Sequence, residues 1–307
     1  MSQIINTNLA SLNAQRNLSA SNNSMATALQ RLSSGVRVNS AKDDAAGMAI
    51  AERMNAQVRG MSVAMRNAND AISLAQTAEG ALGKISDLLQ RMRELALQAA
   101  NATNNENDRS SLQNEFLHLQ SEIKRTAETT RFNGNAILVQ TSSFDFQIGA
   151  NASTDDKITV NAINITTATT AANTNDGALS RAISTAAISI SDVGTRGANA
   201  AATNYAGYAG GTGNGALGAI EVIDYALQQV NVARSTFGAA QNRFDAVIAN
   251  LQVAIENQSA ARSRIVDADF AAETAALSRA QVLQQAGTAM LSQANQLPQQ
   301  VLQLLRG

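Results

Sequence analysis

The chain of 307 residues has no cysteine, so disulfide bonds, thiolate metal sites and cysteine nucleophiles are excluded. Its only histidine is His118. A zinc-protease motif needs two histidines and is therefore impossible. A histidine-dependent triad would have to use His118, and the chain has no nucleophile-elbow motif to meet it. The lack of cysteine and the single histidine argue against an enzyme, and we expect no cofactor and no metal.

Aromatic residues are scarce as well. They make up 3% of the chain, with no tryptophan, and proline occurs once, as Pro298. Apolar residues reach 45%, but much of that share is alanine. This composition disfavours a thick core of large side chains and favours thin, alanine-rich helical bundles.

Two further features are missing: a long apolar run and a block of basic residues. No stretch approaches the 18 or so apolar residues of a membrane span, and the net charge is −1 with both signs interspersed. We therefore expect neither a membrane nor a nucleic acid as a partner. The N-terminus lacks the basic and apolar regions of a secretory signal, which by itself predicts a cytoplasmic protein.

The stretch from Asp44 to Ala100 has the apolar spacing of a coiled coil. Its predicted seam contains Met54, Val58, Met61, Met65, Ala68, Ile72, Ala75, Leu82, Leu89 and Ala96. The spacing slips at Glu79, Ser86 and Arg93. A helix of this length measures about 85 Å and cannot bury its seam on itself, so the rest of the chain should supply partner helices.

The same spacing returns from Ala219 onward and predicts the antiparallel partner of the first long helix. Its seam contains Ile220, Leu227, Val230, Phe237, Phe244, Ile248, Leu251 and Ile255. The two ends carry shorter seams, which contain Leu18, Met25, Leu29 and Leu32 at the N-terminus and Leu277, Ala280, Gln284, Gly287, Leu291 and Ala294 at the C-terminus. The layout is palindromic, so we expect the termini to pair with each other.

Shorter signals fill the region between the long helices. Ser40 with Asp43 predicts a cap for the first long helix, and Thr103 with Glu106 predicts a capping box for a helix that ends near Thr129. Beyond a turn at Phe132–Asn135, alternating apolar residues predict a β-hairpin, with strands around Phe144–Ile148 and Ile158–Val160. The predicted fold class is mostly α, with long antiparallel coiled-coil helices, a small β-hairpin region and paired termini in a separate helical layer.

Two sequence stretches resemble the terminal signatures of bacterial flagellin. The first is LQRLSSGVRVNSAKDDAAG, residues 29–47, and the second is ARSRIVDAD, residues 261–269, followed by QQAG at 284–287 and ANQLPQ at 294–299. The similarity covers roughly residues 1–165 and 219–307. The resemblance implies an exported structural subunit that polymerises with copies of itself into the extracellular filament of the flagellum.

By the same resemblance, the chain divides into five segments. These are an N-terminal segment of the inner filament core (1–43), a long helix, second helix and hairpin of the outer core (44–165), a short variable surface region (166–218), the return helix of the outer core (219–265) and a C-terminal segment of the inner core (266–307).

The family implies further partners, namely the export apparatus and its chaperone, and the filament cap and junction proteins. The alternatives are a hook–filament junction protein and a coiled-coil scaffold unrelated to flagella.

The terminal seams and the charged loop between the layers predict the subunit interface. It comprises Leu18, Met25, Leu29, Leu32, Arg37, Lys42, Asp43, Asp44, Leu277, Gly287, Leu291 and Leu305. A second apolar row, Leu88, Leu95 and Ala99, predicts a further partner, most simply a neighbouring subunit. The stretch Gln90–Gln98 resembles the segment with which flagellins engage a host innate immune receptor. By that resemblance the contacts are Arg91, Leu95 and Glu115.

Overall fold

The structure is a computed structural model that describes residues 8–161, 163–165 and 215–306, with side chains described up to residue 296. Nearly all of the predicted variable region, 166–218, and the side chain of Leu305 therefore lie outside the described residues. The described part contains five α-helices, which are α1 Leu9–Ser34, α2 Ala45–Ala99, α3 Glu106–Thr129, α4 Ala216–Val266 and α5 Phe270–Arg306. It also contains four short strands, which are β1 Arg131–Phe132, β2 Asn135–Ala136, β3 Phe144–Gln147 and β4 Lys157–Val160.

The chain forms two compact units. The terminal unit consists of Met1–Arg59 and Ala254–Gly307, and the central unit is Gly60–Val253. These limits fall inside α2 and α4, away from the segment boundaries expected at 43/44 and 265/266. A regular helix carries no sequence signal at the point where its packing partners change. The assignment of segments to filament layers stays a prediction.

The first long helix is confirmed almost to the residue, because α2 begins at Ala45 and ends at Ala99. Its N-terminus is capped by Asp44, whose Oδ1 accepts the backbone N–H of Gly47 at 2.8 Å. The cap predicted from Ser40 and Asp43 is wrong in detail. The Asp43 carboxylate instead accepts the backbone N–H of Ser40 and closes the turn that precedes the helix.

The buried row of α2 in the central unit keeps a strict 3–4 spacing. It contains Ala64, Ala68, Ala71, Ala75, Ala78, Leu82, Ile85, Leu89, Met92, Ala96 and Ala99. Half of the predicted seam is confirmed, namely Ala68, Ala75, Leu82, Leu89 and Ala96. The other half, Met54, Val58, Met61, Met65 and Ile72, is only half-buried. Each apparent slip lies one residue after a buried one, because the row runs through Ala78, Ile85 and Met92, so the seam itself has no slips.

The return helix α4 packs along α2 in the antiparallel sense, as predicted. Its buried row in the central unit contains Ala216, Ala219, Ile223, Ala226, Val230, Ala233, Phe237, Ala240 and Phe244. The direction follows from two polar pairs on the flanks of the seam. Arg93 Nε donates to Asp224 Oδ1 at 2.6 Å, and Gln241 Nε2 donates to Glu79 Oε2 at 3.1 Å. Residues early in α4 thus meet residues late in α2.

Helix α3 supplies a third layer to the central unit. Phe116, Ile123 and Ala127 are fully buried there. Its capping box is formed by Asn105 and Asp108 rather than by Thr103 and Glu106. The cap of α3 therefore lies two residues after the predicted one at Thr103. The Asn105 side chain accepts the backbone N–H of Asp108 at 2.8 Å, and the Asp108 side chain accepts the backbone N–H of Asn105, so both donors are satisfied.

The predicted β-hairpin is confirmed. Strand β3 pairs antiparallel with β4, with Phe144 opposite Val160 and Gln147 opposite Lys157. The ring of Phe146 meets that of Phe244 edge-on, with centroids 5.5 Å apart. The sequence turn at Phe132–Asn135 is itself a two-residue hairpin that joins β1 to β2.

The loop of the β3–β4 hairpin lies directly on α2. The Asn67 amide donates to the carbonyl of Gln147 at 3.0 Å. A Cβ added to Gly60 would lie 2.8 Å from the Cβ of Ala150, closer than side chains tolerate. Glycine at this point of the helix therefore makes room for the hairpin loop.

We predict that Gly60→Ala destabilises the central unit although alanine favours helix more than glycine does. Displacing the Ala150 backbone should lower the free energy of unfolding by about 1–3 kcal/mol. The matched control is Gly80→Ala, because open space surrounds its Cβ position. That variant should raise the free energy by about 0.5–1 kcal/mol. Urea unfolding followed by circular dichroism measures both, and equal shifts of the same sign would contradict the proposed close approach.

Candidate assembly interface

In the terminal unit, α1 and α5 run antiparallel and meet through two rows in which half of the residues are small. The facing row of α1 contains Ser11, Ala14, Leu18, Ser21, Met25, Ala28 and Leu32, and that of α5 contains Glu273, Leu277, Ala280, Gln284, Gly287, Leu291 and Ala294. Both rows keep a 3–4 spacing. A Cβ on Gly287 would lie 3.3 Å from Leu18 Cδ1, so Gly287 leaves space for Leu18.

Polar contacts fix the register of this pair. The buried hydroxyl of Ser21 donates to the carbonyl of Ala280 at 3.2 Å, and the Asn8 amide donates to the carbonyl of Ala294 at 2.7 Å. At the other end of α1, Arg31 NH1 and Glu273 Oε1 form an ion pair at 3.1 Å. A shift of one helical turn would break all three contacts, so they select one alignment.

The structure places the predicted terminal residues as follows. Leu18, Met25, Leu32, Leu277, Gly287 and Leu291 are half-buried on the facing rows of α1 and α5. Leu29 is different, because its side chain points away from α5 and is 48% exposed. Sequence reasoning missed Ser11, Ser21 and Ala28, because small and hydroxyl side chains carry little apolar signal.

A separate group of large apolar side chains in the terminal unit has no cover. It comprises Leu9, Leu12, Leu29, Ile50, Phe270, Val282, Leu283 and Met290. Leu283 and Met290 are seven residues apart on α5 and border the groove between α1 and α5, together with Ala10 and Ala14. We call Leu283 and Met290 the outer row. Their i, i+7 spacing is a sequence signal that lies outside the facing seam of α5.

The connection from α1 to α2 is bound to the end of α4. Val36 pairs with Asp267 as an antiparallel bridge. The backbone N–H of Arg37 donates to the carbonyl of Val266 at 2.6 Å, and its guanidinium donates to the carbonyl of Ile265 at 2.8 Å. Arg37 therefore caps the C-terminus of α4, where a cation is favoured by the helix dipole.

The three other predicted charges of this connection differ in their contacts. Asp43 Oδ2 accepts the backbone N–H groups of Asn39 and Ser40 and the Ser40 hydroxyl. The Ser40 N–H, and then the Ser40 hydroxyl, hold the pKa of Asp43 below its ordinary value. Asp44 caps α2. Lys42 is exposed and makes no bond to any described residue. A contact of these side chains with another subunit stays a prediction.

The structure brings two of the three predicted receptor residues together. Arg91 donates to Glu115 Oε1 through Nε at 3.0 Å and NH2 at 2.8 Å, and through NH1 to Glu94 at 3.0 Å. These bonds raise the pKa of Arg91, first of all through Glu115. The pair is exposed on the central unit.

Leu95 lies elsewhere, because it is 1% exposed and belongs to the core of the central unit. The expectation that Leu95 and Ala99 form an uncovered second row is wrong. Both are buried in the core that also contains Phe116 and Ile123 of α3, and Leu88 packs against that core. The partner of this row is the chain itself. A direct receptor contact through Leu95 stays a prediction that its burial disfavours.

Among the described residues, no three acidic or histidine side chains lie together as metal ligands. His118 is exposed on α3. Of the helices in the described part, none is both long and apolar enough to cross a bilayer.

Comparisons with known proteins give one consistent family. Residues 5–143 match the family model of the bacterial flagellin N-terminal helical region, and residues 220–305 match that of the C-terminal helical region. The chain is 43% identical to a flagellin of Halalkalibacterium halodurans over 99% of this chain and 100% of the relative. It is 38% identical to flagellin D of Vibrio cholerae over 98% and 99%. A crystal structure of Bacillus cereus flagellin is similar at 31% identity, over 61% of this chain and 88% of that chain, with a TM-score of 0.42.

The contacts of Asp43 predict a pH dependence of the terminal unit. Because its pKa is lower in the folded chain than its ordinary value of 3.8, its stabilising contribution is complete above that value and is lost as the pH falls through the folded pKa. Asp43→Asn should therefore flatten the loss of stability below about pH 4. Urea unfolding at stepped pH measures this.

The control is Glu256→Gln, which removes an exposed carboxylate of the same unit that has no bond to a described residue. Its pH profile should match that of the unmodified chain. If Asp43→Asn also keeps the full loss of stability in acid, the turn does not depend on the Asp43 carboxylate.

Proposed function

Because this chain belongs to the bacterial flagellin family and is a structural subunit of the extracellular flagellar filament, not an enzyme, we propose that its terminal unit carries the contacts between subunits. The family polymerises with itself. What the proposal adds is where on this chain the neighbouring copies bind.

The observation that carries the proposal is the uncovered apolar surface of α1 and α5. Leu283 is 54% exposed and Met290 is 65% exposed. Contiguous exposed apolar side chains on a protein surface mark sites of association. The facing rows of α1 and α5 consist mostly of small or polar residues, and the large apolar side chains on them are only half-buried. Burial against copies of the chain would supply stabilisation of about 1.5–3 kcal/mol for each large side chain.

On this proposal, segments 1–43 and 266–307 form the inner core of the filament, and segments 44–165 and 219–265 form the outer core. Segment 166–218 lies on the outside. Leu18, Met25, Leu32, Leu277, Gly287 and Leu291 hold the α1–α5 pair together, and Leu29 and the outer row meet neighbours. Arg37, Asp43 and Asp44 shape the connection, Lys42 is its free cation among the described residues, and Leu305 extends the contact toward the C-terminus.

Other partners follow from the function. An exported filament subunit requires an export apparatus and a chaperone, and its assembly involves the filament cap and junction proteins. These partners are proposed by family resemblance. The comparisons favour the filament subunit over a junction protein or an unrelated scaffold, because the curated relatives that cover the whole chain are flagellins.

The assembly proposal predicts that polar substitution of the outer row blocks filament growth and spares the fold. Leu283→Asn with Met290→Gln should raise the critical concentration more than about tenfold, because the lost burial exceeds 1.4 kcal/mol. Seeded growth, followed by sedimentation and electron microscopy, measures the critical concentration.

The control pair is Leu283→Met with Met290→Leu, which keeps apolar side chains of similar volume. It should polymerise as the unmodified chain does. Circular dichroism should show the same helix content for both double variants. Growth of the polar variant at the ordinary critical concentration would remove the outer row from the interface.

A second function is favoured by the exposed Arg91–Glu115 pair. We propose that this pair forms part of the surface that a host innate immune receptor recognises. Its guanidinium and carboxylates are preorganised by the bonds between α2 and α3, so little side-chain entropy would be lost on binding. The neighbouring Leu95 supports this surface from within the core.

Arg91→Ala is predicted to weaken receptor signalling by monomer about tenfold, because bonds to charged groups are worth about 1.5–3 kcal/mol. Reporter cells that express the receptor measure the response. The matched control is Arg125→Ala, since Arg125 is also an exposed arginine, paired with Glu122 on its own helix. Equal loss of signal in both variants would count against a specific Arg91 contact.

A further inference from the structure

The tight hairpin that joins β1 to β2 turns at Asn133 and Gly134, and both residues have positive φ, 49° and 82°. Two-residue hairpin loops of this kind need positive φ at both positions, and Asn-Gly is their preferred sequence. Among the described non-glycine residues, Asn133 alone has this conformation. Both turn residues are exposed to water.

From this geometry we propose that Asn133 is a site of spontaneous deamidation. The backbone nitrogen of Gly134 attacks Cγ of Asn133, loses its proton and expels the side-chain nitrogen as ammonia. The product is a five-membered succinimide. Water then adds to one of its two carbonyls and breaks the adjoining C–N bond. The chain carries aspartate or isoaspartate, and one water has been consumed for each ammonia released.

Three features of the turn favour the reaction. Gly134 has no side chain, and apart from its chain neighbours nothing lies within 4 Å of the position that a Cβ would occupy, so no side chain crowds this side of the turn. Arg131 NH1 donates to the carbonyl of Gly134 at 3.1 Å, which places a positive charge on the same residue whose backbone nitrogen must lose its proton. Exposure supplies the water for the second step.

The two products affect the hairpin differently. Aspartate tolerates the left-handed conformation and keeps the turn. Isoaspartate adds a methylene to the backbone, which disturbs the pairing of Phe132 with Asn135. Ile137 and Leu138 follow within a few residues and are fully buried. Formation of isoaspartate should therefore loosen the core of the central unit, whereas formation of aspartate should leave it intact.

The chain contains its own controls for the test. Cleavage after Arg131 and after Lys157 releases one peptide, residues 132–157, which contains Asn133, Asn135 and Asn151. Asn135 and Asn151 are followed by alanine, whose side chain hinders attack. The folded full-length chain is incubated at mildly alkaline pH, digested and analysed by fragmentation mass spectrometry, in which deamidation adds about 1 Da.

We expect Asn133 to be converted about tenfold more than Asn135 or Asn151, which corresponds to a barrier lower by 1.4 kcal/mol. The same incubation in denaturant tests whether the fold protects the turn. Conversion at Asn133 only in the denatured chain, or equal conversion at all three positions, would overturn the proposal. Neither result bears on filament assembly, so this test of the deamidation site is independent of the proposed function.

The structural consequence has a separate test. Asn133→Asp should unfold in urea at the midpoint of the unmodified chain, because it reproduces only the aspartate product. An aged sample, with its isoaspartate content measured by peptide mapping, should show a fraction with a lower midpoint. An unchanged midpoint in a sample rich in isoaspartate would show that the hairpin does not anchor Ile137 and Leu138.

Discussion

Close antiparallel packing of helices through small side chains is the constraint on which this structure depends. The seam of α2 contains seven alanines from Ala64 to Ala99, and α4 contributes five more. The α1–α5 pair uses serine, alanine and glycine in the same way. Small residues let two backbones approach, so many weak contacts form along a long line. Long stretches of helix are thereby held together with few large side chains.

The large side chains are concentrated where a third layer is added. Phe116, Phe237 and Phe244 are fully buried in the central unit, where α3 and the β3–β4 hairpin cover the helix pair. The terminal unit has no such cover among its described residues, and many of its large apolar side chains stay exposed, Leu283 and Met290 among them. This difference suits a subunit whose core is complete in one part and completed by neighbouring copies in another.

The charged residues act mainly on helix ends and flanks. Arg37 caps the C-terminus of α4, and Asp44 caps the N-terminus of α2. Asp43 closes the turn that precedes α2. Along the helices, Arg93 with Asp224 and Arg91 with Glu115 lie beside the seams and not within them. Exposed pairs of this kind contribute little stability, so their main effect is to select partners and alignment. Polar pairs beside the seams therefore help to set the register of the helices.

Apolar periodicity and turn residues are local signals, so the sequence is enough to predict the long helices, their antiparallel pairing, the β3–β4 hairpin and the facing row of α5. The buried side of α2 is visible only in the folded chain, since alanine is compatible with a buried or an exposed position. The tertiary structure also decided that α3 would share the core with Leu95, and that the compact units divide inside α2 and α4. Those outcomes depend on contacts between residues far apart in the chain, which no periodicity within one helix records.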